Sequence, residues 1–199
     1  MTPMTPKHAR RQATPYWTMT NYQEIIDRYY PAGSALRDIY LRHCSQVADM
    51  AVAINESKAL GLDPEQIRAA AMLHDIGIYM CDAPSIECHG TEPYIRHGII
   101  GAQLLRGCGA GEIMARVAER HTGAGLTADE ISHSGLPLPV RDYLPKTLLE
   151  RLICYADKFY SKSSVTSTRP KEIDKVRAQM ARFGEASLSR FDEMRAEFE

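Results

Sequence analysis

Long hydrophobic runs are missing from this sequence. No stretch approaches the roughly 18 apolar residues of a membrane span. The first 18 residues also lack the apolar centre of a secretory signal. They carry Lys7, Arg10 and Arg11 and no acid. Residues 1–18 therefore read as a disordered N-terminal extension, or as a start placed too early since Met19 also fits as a first residue, with an organelle-targeting peptide as the lesser alternative. An excess of one charge is missing too. The 24 basic and 25 acidic residues leave a formal net charge of −1, without the basic signature of a nucleic-acid binder. Cysteines are few and odd in number, at positions 44, 81, 88, 108 and 154, and no CxxC occurs. That argues against a disulfide framework and for a reducing cytoplasm. Cys81 and Cys88 share a loop with His89, so a separate metal site there is a lesser alternative to a plain loop. Alternating strand patterns and internal repeats are also absent.

What the sequence does contain is helical periodicity almost throughout. Its 199 residues suit one domain with a sizeable core. Thr20 or Asn21 can cap a short helix that stops at Pro31. Ser34 can cap a long one reaching Leu60, with Gly61 just beyond it. Asp63-Pro64-Glu65 opens a third helix that carries Ile67, Ala70, Ala71 and His74. The loop at 78–92 is long enough to suggest a lid or a binding loop. Helices are then predicted over 94–106 and 111–121. Thr127 and Glu130 form a capping box for a brief one, and another runs from Pro145 to about Tyr160. A Ser/Thr-rich loop at 161–169 leads to a helix from Pro170 to near Gly184, and a last helix follows.

Ionisable residues fall on the apolar faces of five of these helices. His43 lies on the stripe of Leu36, Tyr40, Val47, Met50 and Ile54. His74 follows Ala70 and Ala71, and His97 precedes Ile100 and Leu104. His121 follows Met114 and Val117, and Asp157 follows Leu149 and Ile153. Asp75 stands directly after His74. Any one of these taken singly reads as a hydrogen-bonded core residue. Together they place six ionisable groups in one core, and a bound cation satisfies them more simply than a network does. Six ligands without a thiolate exceed the three or four of a single zinc. Two metals fit better: His43, His74, Asp75 and Asp157 for the first, His97 and His121 for the second, with Asp75 bridging. Such a pair forms a clamp for phosphoryl or acyl displacement. His8, His89 and His133 fall outside the set, in the tail or in loops. His89 keeps a minor reading as a lid residue.

The order His43, His74-Asp75, Asp157 resembles the HD superfamily of metal-dependent phosphohydrolases, over about residues 34–160. His74-Asp75-Ile76-Gly77 matches its HDIG variant. His97 and His121 match the extra histidines of its dinuclear branches. The segments Arg120-His121-Thr122-Gly123-Ala124-Gly125, Tyr143-Leu144-Pro145 and Tyr155-Ala156-Asp157-Lys158 are similar to a small stand-alone HDIG group. The resemblance implies an all-α fold: an HD-domain helical bundle at 19–160 with a helical C-terminal appendage at 161–199. Two departures matter. Many HD phosphohydrolases have a lysine directly after HDIG, where Ile78 and Tyr79 stand here. The HD-GYP signature is incomplete, since Arg120 precedes His121 and no Gly-Tyr-Pro follows, so cyclic-di-GMP is not expected as the substrate. Phosphate must then be met from elsewhere. Arg96, Arg120 and Lys158, each beside a ligand, are the candidates, against the alternative that they are solvated surface charges.

The expected activity is hydrolysis of a phosphate ester or anhydride of a small molecule, a nucleotide before others, by a metal-activated hydroxide. Asp75 and His74 are the expected catalytic residues. Two divalent metals are implied, Fe or Mn ahead of Zn, Co or Ni. No nucleic-acid polymer and no membrane is expected as a partner. The C-terminal helices, with Val176, Met180, Phe183, Leu188 and Phe191, can pack on the domain or form a homodimer. The rival readings are a di-iron oxygenase of the same family and a non-catalytic, metal-stabilised binding module.

Overall fold

Side-chain caps open the helices that start at Tyr22, Ala35, Pro64, Ala128 and Leu148. The computed structural model describes residues 21–163 and 169–199. The expected extension at 1–18 and the centre of the 161–169 loop lie outside the described residues. Asn21 accepts a hydrogen bond from the Gln23 amide and opens α1, Tyr22–Tyr29. Ser34 does the same for Arg37 and opens α2, Ala35–Ser57. This second helix stops three residues short of the expected Leu60. The buried Asn55 side chain bonds both the amide and the carbonyl of Leu62, which turns the chain early. Asp63 caps α3, Pro64–Leu73, with Pro64 at the position where a missing N–H costs nothing.

The 78–92 segment is not a plain loop. It holds two short 3₁₀ turns and a two-stranded antiparallel ladder, β1 (Asp82–Ala83) with β2 (Cys88–His89). Two residues per strand are too few for alternation to show in the sequence. A further 3₁₀ turn at Tyr94–Arg96 leads into α4, His97–Gly107. Then come α5, Glu112–Arg120, and α6, Ala128–His133, the latter with the expected Thr127/Glu130 capping box.

The seventh helix, α7, spans Leu148–Asp157. It begins after the expected Pro145, because Thr147 and Glu150 form a second capping box there. Glu150 also accepts from the Lys146 amide at 2.7 Å. The last two helices are α8, Ile173–Ala181, and α9, Glu185–Phe198. Helices dominate the described residues, whose only sheet is the small ladder, so the fold is all-α, a helical bundle.

One main hydrophobic core joins α1 to α9. The closest helix partnerships are α4 with α5 and α2 with α3. The C-terminal helices share this core. The Tyr155 ring stacks on Phe191 at 5.4 Å and meets Phe159 and Phe198. Burying each of these large side chains stabilises the fold by about 1.5–3 kcal/mol. No described helix is long and apolar enough to cross a membrane.

Candidate metal centre

Five of the six expected ligands sit at or beside helix ends rather than along helices. His74 is the residue that ends α3, and Asp75 follows it. His97 is the first residue of α4. His121 ends α5, and Asp157 is the last residue of α7. His43 alone lies in mid-helix, on α2. The C-termini of α3, α5 and α7 therefore converge, each carrying a partial charge of about −0.5 that favours a cation. Two tyrosines hold the α3 end in place. Tyr30 donates to the Ile76 carbonyl at 3.0 Å, Tyr40 donates to the Met72 carbonyl, and the two rings stack at 4.1 Å. These bonds satisfy carbonyls that a helix end leaves unpaired.

Close backbone contacts bring α4 in. A Cβ on Gly77 would lie 2.3 Å from the His97 carbonyl oxygen and 2.5 Å from the Gly101 nitrogen. A Cβ on Gly98 would lie 2.7 Å from the Ala118 carbonyl oxygen of α5. Only glycine lets the turn after Asp75 touch the helix that carries His97.

All six residues are buried, and they form two groups. His43, His74, Asp75 and Asp157 bring ligand atoms within 4.8 Å of one another, and so do Asp75, His97 and His121. Asp75 belongs to both. Its Oδ2 lies 3.2 Å from His43 Nε2 and 3.1 Å from His74 Nε2. Its Oδ1 lies 3.3 Å from His121 Nε2 and 3.5 Å from His97 Nε2. Asp157 Oδ1 is 3.0 Å from His43 Nε2 and 3.5 Å from His74 Nε2.

Three of the histidines are oriented by the same device. His74 Nδ1 bonds the Ala71 carbonyl at 2.6 Å, His97 Nδ1 the Tyr94 carbonyl at 2.6 Å, and His121 Nδ1 the Ala118 carbonyl at 2.8 Å. A carbonyl only accepts, so Nδ1 carries the proton in each and Nε2 is left for the centre. His97 Nε2 and His121 Nε2 then face each other at 2.9 Å. Two imidazole lone pairs at that distance repel unless a cation or a proton is shared with them. Burial, reinforced by His121, pushes the His97 pKa down to about 3, so a proton is not what settles the pair near neutrality. Burial likewise lowers His121.

The other group behaves differently. Burial opposes charge on His74, but the Asp75 carboxylate overcomes it and holds the imidazole well above its usual range. Burial would raise Asp75, yet His74 and Lys162 hold its carboxyl well below the usual carboxylate range. Both nitrogens of His43, Nε2 of His74 and Oδ1 of Asp75 are buried without a hydrogen bond, whereas Oδ2 of Asp75 is met by Lys162 Nζ at 2.6 Å. Each such atom costs about 1–3 kcal/mol when left unpaired. A divalent cation would remove that cost for the atoms that face the centre. A set of imidazoles and carboxylates without thiolate fits Fe, Mn, Co, Ni or Zn.

A family model described as the HD domain matches residues 40–161. The chain belongs to the HD domain family. The matched span runs from Tyr40 past Asp157 and so takes in all six residues of the centre. A protein of Methanocaldococcus jannaschii described as uncharacterised is 38% identical over 140 residues, covering 68% of this chain and 72% of that one. Two tRNA (cytidine(56)-2'-O)-methyltransferases also match. The one from Picrophilus torridus is 32% identical, covering 66% of this chain and 34% of its own length. The one from Thermoplasma volcanium is 31% identical, covering 70% and 36%. The chain therefore spans about a third of those two methyltransferases. Among solved structures, the HD domain of the L. monocytogenes phosphodiesterase PgpH aligns with a TM-score of 0.49 at 16% identity, over 88% of this chain and 95% of that one.

Two cavities border the centre of this HD domain. One, about 400 Å³, lies on the Asp157 side and is walled by Ala83, Ser85 and Ile86 of the 78–92 segment together with Lys158, Lys162 and Lys171. The other, about 510 Å³, lies on the His97 side, with Leu126, Leu136 and the exposed Phe183 on its wall. Tyr94 borders both.

The three candidate phosphate contacts separate. Lys158 reaches the centre, donating to Asp157 Oδ2 at 2.6 Å and to the His121 carbonyl at 2.8 Å. Arg96 and Arg120 do not. Arg96 pairs with Glu92 at 3.0 Å and borders a different cavity, by Arg28 and Met80. Arg120 is fastened to the buried Glu150 at 2.9 Å. Arg120, the last residue of α5, follows the α-helical rule that neighbours point about 100° apart, and Arg96 ends the 3₁₀ turn before α4. The lesser site at Cys81, Cys88 and His89 is not assembled either. Both thiols are buried, and His89 is exposed and pairs with Glu87 at 3.5 Å. Sequence reasoning missed Lys162, whose Nζ lies 2.6 Å from Asp75 Oδ2. It stands off any helix in a Ser/Thr-rich segment, so periodicity gave it no direction.

Proposed function

We infer that this HD domain hydrolyses a phosphate ester or anhydride of a small molecule, with a nucleotide as the favoured class. The observation that carries the reading is the Asp75 carboxylate, with one oxygen turned to each histidine pair. His43, His74, Asp75 and Asp157 would hold one divalent cation, and Asp75, His97 and His121 a second. When bound, such a pair polarises a phosphoryl oxygen and lowers the pKa of water toward neutrality. The chain supplies the rest. Backbone carbonyls fix the three imidazoles, Tyr30 after α1 and Tyr40 of α2 fix the turn, and burial keeps the carboxylates in a low-dielectric setting. The lysine-lined cavity suits the phosphate, and the larger, more apolar cavity has room for an organic group the size of a base. The cysteines of the described residues are all free, in keeping with a reducing compartment such as the cytoplasm.

Methyl transfer is not carried over from the two longer relatives, because the shared stretch is only about a third of each. Manganese-loaded protein incubated with phosphomonoesters, dinucleotides and cyclic nucleotides should release product from at least one class, and a chelator should stop it. A fully loaded protein that leaves the whole panel intact sinks this reading.

A further inference from the structure

Lys162 follows α7 by five residues, and its backbone is held by Arg42 of α2, which donates to its carbonyl at 3.4 Å. Its side chain is mostly buried and ends 2.6 Å from Asp75 Oδ2. That oxygen faces His43 and His74, so the ammonium shares the carboxylate atom on which the first cation group depends. An ammonium and a divalent cation on one carboxylate oxygen repel each other, so each weakens the other's hold on it. The neighbouring lysines are engaged elsewhere. Lys158 is fixed to Asp157 and the His121 carbonyl, and Lys171 bonds the Lys158 carbonyl at 3.2 Å and Gln179 at 3.3 Å. Lys162 has a long, unbranched side chain and already lines the 400 Å³ cavity with both of them. Ser85, Ser161 and Ser163 add hydroxyls to the same wall.

We propose that Lys162 is a phosphate-binding residue of this site that also competes with the first metal ion for Asp75. Metal loading displaces its ammonium from the carboxylate into the lysine-lined cavity, where it meets the substrate's phosphate. The proposal deepens the phosphohydrolase reading and rests on it for the identity of the anion.

Calorimetric titration of the full chain tests it in two arms. In the first, metal-free protein is titrated with Mn²⁺. Lys162→Met keeps the methylenes and removes the competing charge, so its first Mn²⁺ should bind about tenfold more tightly than in the wild type. In the second, manganese-loaded protein is titrated with inorganic phosphate. Lys162→Met should bind it about 10–100-fold more weakly, and Lys162→Arg should retain most of the affinity. Unchanged or weaker Mn²⁺ binding by Lys162→Met overturns the proposal. So does unchanged phosphate binding, or a Lys162→Arg protein as weak as Lys162→Met. Both arms are read without turnover. Lysine-dependent phosphate binding in a protein that hydrolyses nothing therefore tells against the phosphohydrolase reading alone.

Discussion

At the residue scale, the centre depends most on Asp75, because no other side chain belongs to both cation groups. Asp75→Asn keeps the shape and removes the charge, and an amide cannot serve two cations as a bridging carboxylate does. Loss of a residue that merely orients a metal ligand costs about 10–100-fold in activity or metal affinity, and loss of a shared ligand should exceed that. Turnover by Asp75→Asn is therefore expected to fall by more than about 100-fold, with its circular-dichroism spectrum still helical. A variant that turns over like the wild type removes Asp75 from the chemistry. Residue by residue, legibility followed periodicity. His43, His74, His97, His121 and Asp157 all sit where a helix repeat aims them inward. Lys158, directly after α7, reaches back to Asp157 and the His121 carbonyl through its long side chain. Arg96 and Arg120 were read from adjacency to a ligand, and adjacency does not set direction.

At the element scale, helix ends do the assembling. Three C-termini and one N-terminus meet at the site, and the close approach of α4 to the turn after Asp75 is set by Gly77. Gly77→Ala would place its Cβ into backbone atoms of His97 and Gly101, neither of which can move as a side chain does. It is expected to destabilise the fold by about 2–3 kcal/mol, seen as a lower urea midpoint. A midpoint matching the wild type would mean that α4 is not held by this contact. Helix existence was legible from caps and stripes, while helix ends were less so. Asn55 stops α2 early through side-chain bonds that only the folded turn reveals, whereas the Thr147/Glu150 capping box that delays α7 was present in the sequence as a pattern. The ladder of β1 and β2 is too short to leave an alternating pattern.

At the scale of the whole molecule, the C-terminal helices are part of the fold that frames the site. Arg190 of α9 donates to the carbonyls of Ala124 and Gly125 and pairs with Glu130 at 2.8 Å, so α9 holds the segment beyond His121. Phe183, at the turn between α8 and α9, is exposed on the wall of the larger cavity. The sequence left packing and dimerisation equally open for these helices, since an apolar stripe does not name what covers it. The stacking of Tyr155 on Phe191 shows that part of the stripe packs within the chain, while Phe183 stays exposed. The central claim is that this bundle holds two cations on one shared aspartate. Metal content of protein purified without added metal, measured by elemental mass spectrometry beside Asp75→Asn and His97→Gln, tests it most directly. The account predicts two ions per chain in the wild type, one in His97→Gln and fewer than one in Asp75→Asn. A single ion in the wild type that His97→Gln leaves in place would contradict it.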